Sequence, residues 1–272
     1  MSKSVTQIEL APGHKRGLLL NSPFIAECGC WGFADEYSNV IDMHLLGAMI
    51  TNPITVNPRR PSRGVHTREI NTGMVLHTGL PNLGLSKALL TYGKKWKRFS
   101  CPVIVHLAVD TPDEAGECVY QLEEQDNVLG VELGFHHDED PNHAAAIVLS
   151  ASKGALPIIV RTPFENPETF AALAEDSGAQ AITVTAPART TLPDGTSWFE
   201  GRMYGTSTFG ITLTIVRKLS REIKLPIIAA GDVHNNEQAK ALLRAGAKAV
   251  QIGSIVWINP SKVNLLLQSW QN

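Results

Sequence analysis

Eight short apolar runs, spaced by segments with helical punctuation, constrain this chain more than any other feature. They are Pro23 to Glu27, Ala48 to Val56, Pro102 to Val109, Gly130 to Phe135, Leu156 to Arg161, Ala181 to Thr185, Leu225 to Ala230 and Ala249 to Ile252. Short runs of this kind, bounded by Gly, Pro or polar residues, are the pattern of strands buried on both faces. Helix starts fall between them at Pro112-Asp113, Pro167-Glu168 and Asn235-Asn236, with stops at Gly178 and Gly246. A further helix is expected from Phe209 to Ile223, and Pro260 to Trp270 closes the chain. Strands alternating with helices predict a parallel α/β fold. Eight of them in about 250 residues predict a (β/α)8 TIM barrel rather than an open sheet. The 272 residues, 43% hydrophobic and 18% charged, suit one barrel domain spanning residues 1–272.

The last unit, from Leu225 to Pro260, is the most informative. Two buried strands joined by one helix form a βαβ unit, and Gly231 and Gly253-Ser254 fall just past the strand ends. Glycine there lets the backbone approach a ligand, and the loops after the last two strands of such barrels often bind phosphate. The same glycines also suit tight turns alone, and the two readings stand side by side.

Ahead of the first strand, Val5 to Leu10 and Gly17 to Leu20 flank a Pro12-Gly13 turn, which predicts a β-hairpin able to plug the barrel bottom. Two stretches, Asn57 to Leu85 and Ala186 to Gly205, are expected as long loops. A net charge of −2 gives no reason to expect nucleic acid. No apolar run is long enough for a bilayer, and Met1 to Gln7 is polar rather than signal-like, so a cytoplasmic protein is expected. Cys28, Cys30, Cys101 and Cys118 form no disulfide framework, and Cys28-x-Cys30 is expected as a pair of core thiols.

Barrel chemistry belongs at the C-terminal ends of the strands. That places Glu27, Cys28, Asn52, His106, His136, His137, Arg161, Thr185, Asp232 and Ser254 in one mouth. His136-His137 is the clearest proton-handling pair, since imidazole titrates near neutrality. The acidic run Asp138 to Asp140 beside it fits a solvated loop equally well. Arg161 ends a buried strand, where an unpaired charge is costly, so it must meet an anion. That anion is either a ligand or a carboxylate such as Glu132 or Glu27. No His or Cys spacing supports a metal site.

The runs NSP at 21–23, GCWGFADEY at 29–37, GAMITNPIT at 47–55, GLPNLG at 79–84 and GVEL at 130–133, with the closing unit, resemble dihydroorotate dehydrogenases of the soluble class 1 kind over nearly the whole chain. The resemblance implies FMN across the strand ends, a small-molecule substrate, hydride transfer to the flavin and a homodimer. It implies a flavin ring near Glu27, Cys28, Gly29, Asn52 and Arg161, and a phosphate cradled by Gly205, Gly231, Gly253 and Ser254. On the substrate side it points to Leu76, Asn82, His106 and Thr185, with His137 at the catalytic base position and His136 as the alternative proton handler. Several positions depart from the family pattern. Asn52 and Arg161 stand for lysines, and Leu76, Gly134 and the neighbourhood of Thr185 and Ala186 stand for the asparagines that hold the pyrimidine. Asp232 replaces a glycine beside the phosphate, where a carboxylate is repulsive unless it turns away or Arg202, Arg244 or Lys248 compensates. The expected function is therefore an FMN-dependent oxidoreductase with a changed substrate. The alternative is a degenerate, non-redox barrel that binds an anionic or phosphorylated ligand.

Overall fold

The computed structural model describes residues 7–270. Its centre is a closed, all-parallel barrel of eight strands, as the spacing of apolar runs predicts. Numbering the barrel strands alone, they are β1 Phe24–Ala26, β2 Ala48–Ile50, β3 Val103–Leu107, β4 Val128–Gly134, β5 Ile158–Arg161, β6 Ala181–Val184, β7 Ile227–Ala229 and β8 Ala249–Ile252. Each pairs with its sequence neighbour, and β8 closes the ring on β1 through Gln251 opposite Ile25 and Ile252 opposite Ala26.

The helices follow from local capping chemistry. They are α1 Leu85–Lys97, α2 Pro112–Glu123, α3 Pro141–Ala151, α4 Pro167–Asp176, α5 Phe209–Glu222, α6 Asn236–Arg244, α7 Ile255–Ile258 and α8 Pro260–Gln268. Thr111 accepts from the Glu114 N–H, Asp140 from Asn142 and His143, and Asn235 from Gln238, each ahead of its helix. These side chains satisfy first-turn donors that otherwise have no partner. Gly246 leaves α6 at φ 117°, a left-handed exit that favours glycine. Helix α1 carries no start signal as clear as the others, whereas α3 opens on Asp140-Pro141, a cap and first-turn pair hidden at the end of the acidic run.

Residues two apart on a strand share a face. One inward set, Ile25, Ala48, Ile104, Ile159, Ala181, Ile228 and Ala249, forms an apolar cluster with Leu10, Leu18 and Leu20. The other faces of the strands pack outward against the helices. Leu10, Leu18 and Leu20 belong to the N-terminal hairpin, where Ile8–Glu9 pairs antiparallel with Leu19–Leu20. Glu9 ties its turn by accepting from the N–H groups of Ala11 at 2.7 Å and Leu18 at 2.8 Å. The hairpin thus seals the barrel from below; Val5 and Thr6 of the expected first strand lie outside the described residues.

The two expected loops need correction. Thr67–Ile70 and Gly73–Leu76 come from the first, Arg189–Asp194 and Ser197–Gly205 from the second. Together they form one four-stranded antiparallel sheet, with Ser197–Gly205 paired to Gly73–Leu76 at its centre. Both insertions leave from the C-terminal ends of barrel strands, so this sheet caps the mouth. Each insertion folds back as its own hairpin, and the two join only through Ser197–Gly205 against Gly73–Leu76, a pairing that neither stretch shows by itself.

Candidate active site

Two residues above the apolar set, the inward positions turn polar: Glu27, His106, Glu132, Arg161, Thr183 and Gln251, all buried. Arg161 Nη2 donates to Glu27 Oε1 at 2.6 Å and to the Thr185 carbonyl at 3.3 Å, and its Nη1 lies 3.7 Å from Glu132 Oε1. Both carboxylates named as partners for Arg161 are therefore used. Glu132 also accepts from Thr183 Oγ1 at 2.5 Å, from Gln251 Nε2 at 3.1 Å, and from His106 Nδ1 at 2.7 Å.

Charge in this layer is unevenly shared. Burial raises the Glu132 carboxyl, but the His106 bond and the Arg161 charge outweigh it and hold the group below the usual carboxylate range. Burial pushes Glu27 up to about 7; Arg161 opposes the rise, while Asp232 and Glu132 add to it. Arg161 itself, despite its burial, is driven further toward the charged form by Glu27 and Glu132. One permanent cation faces three acids, so Glu27 is the group that takes up a proton near neutral pH. Cys28 and Cys30 are free buried thiols held well above their ordinary range by burial. Tyr204, from the central cap strand, is also buried, and its phenol is pushed up by burial and by Cys30 and Glu27.

The structure gathers Glu27, Cys28, His106, Arg161 and Thr185 into this layer and sets the other expected residues apart. Asn52 is tied to the loop after β1, its Oδ1 accepting from the Gly32 N–H at 3.3 Å. Gly29 faces the Tyr204 phenol, which lies 3.1 Å from where a side chain would begin. Leu76 pairs with Arg202 inside the cap sheet. Asn82 spends its Oδ1 on the N–H groups of Thr55 and Gly84 and its Nδ2 on Thr55 Oγ1 and the Leu80 carbonyl. Its amide is thus engaged within the loop. His136 is exposed and bonded to Asp138. His137 sits half-buried at the rim under the cap; burial, then Arg189 and His136, lower its pKa, so the ring is neutral at pH 7. His137 Nδ1 has no partner.

The corner after β7 and β8 is built differently from the expectation. Asp232, at φ 50°, turns its buried carboxylate onto the backbone. Oδ2 accepts from the Gly205 N–H at 2.6 Å and Oδ1 from the Ser254 N–H at 3.1 Å. Compensation comes from these amides and not from Arg202, which donates instead to the Pro187 carbonyl at 2.8 Å. His234 lies beside them, with Nε2 at 3.1 Å from Ser254 Oγ. Thr183, Gln251 and His234 were missed in the sequence; the period of two counted back from Thr185 and Gly253 was the signal available for the first two.

Whether FMN fits can be tested on these atoms. Glu27 Oε2, Arg161 Nε and Gln251 Oε1 are buried without a protein partner, which suits the polar edge of a ring. The phosphate end does not fit, because Asp232 holds the amides that would bind it.

A closed parallel barrel with charged side chains at its C-terminal strand ends, a capping sheet and a short extra helix after β8 defines the class: a (β/α)8 barrel with a strand-end site. The family model for dihydroorotate dehydrogenase matches residues 14–135, and that for dihydrouridine synthase (Dus) matches residues 159–269. The catalytic subunit of dihydroorotate dehydrogenase B (NAD(+)) from Bacillus pumilus is 28% identical over 264 residues, covering 90% of this chain and 85% of that protein. Its counterpart from Streptococcus pneumoniae is 29% identical over 272 residues, covering 90% and 86%. That from Geotalea uraniireducens is 26% identical over 294 residues, covering 100% and 93%. The chain belongs to the dihydroorotate dehydrogenase superfamily. No helix among the described residues is long and apolar enough to cross a membrane.

Proposed function

We propose that this barrel is a flavin-dependent oxidoreductase acting on a CH–CH bond of a small substrate other than dihydroorotate. One observation carries it: the buried Arg161–Glu27–Glu132–His106 layer stands at the strand ends of a superfamily barrel, beneath a sheet that excludes water. The two matching family names share a 5,6-dihydropyrimidine, which supports the bond type. A bound flavin would supply the two-electron acceptor. Arg161 holds a fixed positive charge where negative charge develops on a bound ring, in a low-dielectric setting that strengthens it. Its guanidinium is bulkier and forked where a lysine would be a point charge, so the ring it meets is held differently. Neutral His137 accepts the substrate proton, with His136 next to it. Glu27, half-protonated near pH 7, is the second proton store.

A changed substrate is supported at Gly134, one of the positions expected to carry an asparagine. Any Cβ there would collide with His106 Nε2, so His106 fills the space an amide would need. A site without its amide donors discriminates strongly against a ligand whose polar groups would go unpaired. The test is the visible spectrum of the purified protein, before and after incubation with FMN or riboflavin and gel filtration. A colourless protein after both sinks the reading, as rapid dihydroorotate oxidation with an artificial acceptor sinks the changed substrate. The non-redox alternative draws on the Asp232 corner, and a colourless protein would favour it. The homodimer is part of the proposal, and light scattering on the eluted peak measures it.

A further inference from the structure

The three glycines expected to clear room for a cofactor phosphate all have that room filled by the chain itself. A Cβ on Gly253 would collide with Glu27 Oε2, and one on Gly205 with the Thr72 carbonyl. One on Gly231 would come within 2.9 Å of Thr212 on α5. The loops after β7 and β8 and the start of a short extra helix are where such barrels hold phosphate. Here that place contains the Asp232 carboxylate, which joins the end of the central cap strand to the start of α7 through two N–H groups. A carboxylate accepting two backbone amides is chemically what a bound anion would be. A phosphate arriving there loses both donors and meets a like charge only about 3 to 4 Å away, where Coulomb repulsion is strong in a buried site.

We infer that Asp232 is a resident substitute for the cofactor phosphate, so that the site takes a flavin without its 5′-phosphate in preference to FMN. This rests on the flavin reading above. The consequence is a reversed preference: for a site with an empty cradle the phosphate adds affinity, whereas here it subtracts.

The test titrates the full-length protein with riboflavin and with FMN, following quenching of flavin fluorescence. Wild-type protein is expected to bind riboflavin at least about tenfold tighter than FMN. Asp232→Gly frees the Gly205 and Ser254 amides and is expected to reverse that order. Asp232→Asn keeps the shape and one acceptor while removing the charge, so it is expected to narrow the gap without unfolding the corner. Thermal melts of both variants check that they fold, and the Asn variant keeps the test decisive if Gly does not. Wild-type protein that binds FMN as tightly as riboflavin, or tighter, overturns the proposal and leaves the flavin reading standing. Absence of any flavin binding in wild type and both variants overturns the flavin reading itself, and the proposal falls with it.

Discussion

Two layers of the barrel interior lie two residues apart on the same strands and follow opposite chemistry. Below, Ile25, Ile104 and Ile159 are fully buried against the hairpin leucines. Above, the same strands present Glu27, His106 and Arg161, just as buried. The lower layer stabilises the scaffold by removing apolar surface from water, about 1.5 to 3 kcal/mol for each large aliphatic side chain. The upper layer costs stability, because buried charges repay their desolvation only when they are well paired. The barrel can carry a costly layer at its mouth because the layer beneath is dry, sealed and stabilising.

The sharpest way to break this comparison is Arg161→Ala. It leaves Glu27 and Glu132 without their cation and should cost about 3 to 5 kcal/mol in urea unfolding at pH 7. A cost under about 1 kcal/mol would show that the upper layer is not held by its charges. Ile159→Ala, one inward position lower on the same strand, should cost about 2 to 4 kcal/mol through the cavity it leaves, and by the same amount at every pH. Parallel pH profiles for these two variants would erase the distinction between layers.

Glu27→Gln should have a smaller, pH-dependent effect. The folded-state pKa of Glu27 is raised, from 4.5 to about 7, so the native state binds its proton more tightly than the unfolded state. Its contribution is complete below pH 4.5 and is lost as pH rises to about 7. Wild type should therefore lose on the order of 1 to 3 kcal/mol relative to the Gln variant across that window. Unfolding curves at pH 4.5 and pH 7.5 measure it; a constant difference means that Glu27 does not titrate there. The smallest change belongs to the rim. His137→Ala should alter stability by no more than about 0.5 kcal/mol while slowing flavin reduction by any accepted substrate by about a hundredfold. A large stability loss with unaltered turnover would make His137 a packing residue.

The lower layer was readable in the sequence because its apolar runs are short, periodic and bounded by turn residues. The upper layer was readable where a charged or titratable residue stands in or at the end of an apolar run, as at Glu27, His106 and Arg161. Thr183 and Gln251 are uncharged and sit inside otherwise apolar runs, so only the closed ring shows that they share a plane with Glu132. Asp232 was visible as an anomaly, but its solution was not. Its partners are backbone amides from residues 205 and 254, and backbone donors carry no side-chain signature. The cap sheet escaped for a related reason, since the pairing that joins its two hairpins links strands more than a hundred residues apart.

That shared sheet also sets an order of events during synthesis. The hairpin from Thr67 to Leu76 leaves the ribosome more than a hundred residues before its partner strand, Ser197–Gly205, exists. Until then the edge at Gly73–Leu76 is unpaired, and open strand edges invite pairing with other chains. Arg68 and Glu69 on the neighbouring strand put charge beside that edge in the interval. Barrel strands up to β6 are already made before the roof can close, so the mouth of the nascent protein stays open to solvent late into translation.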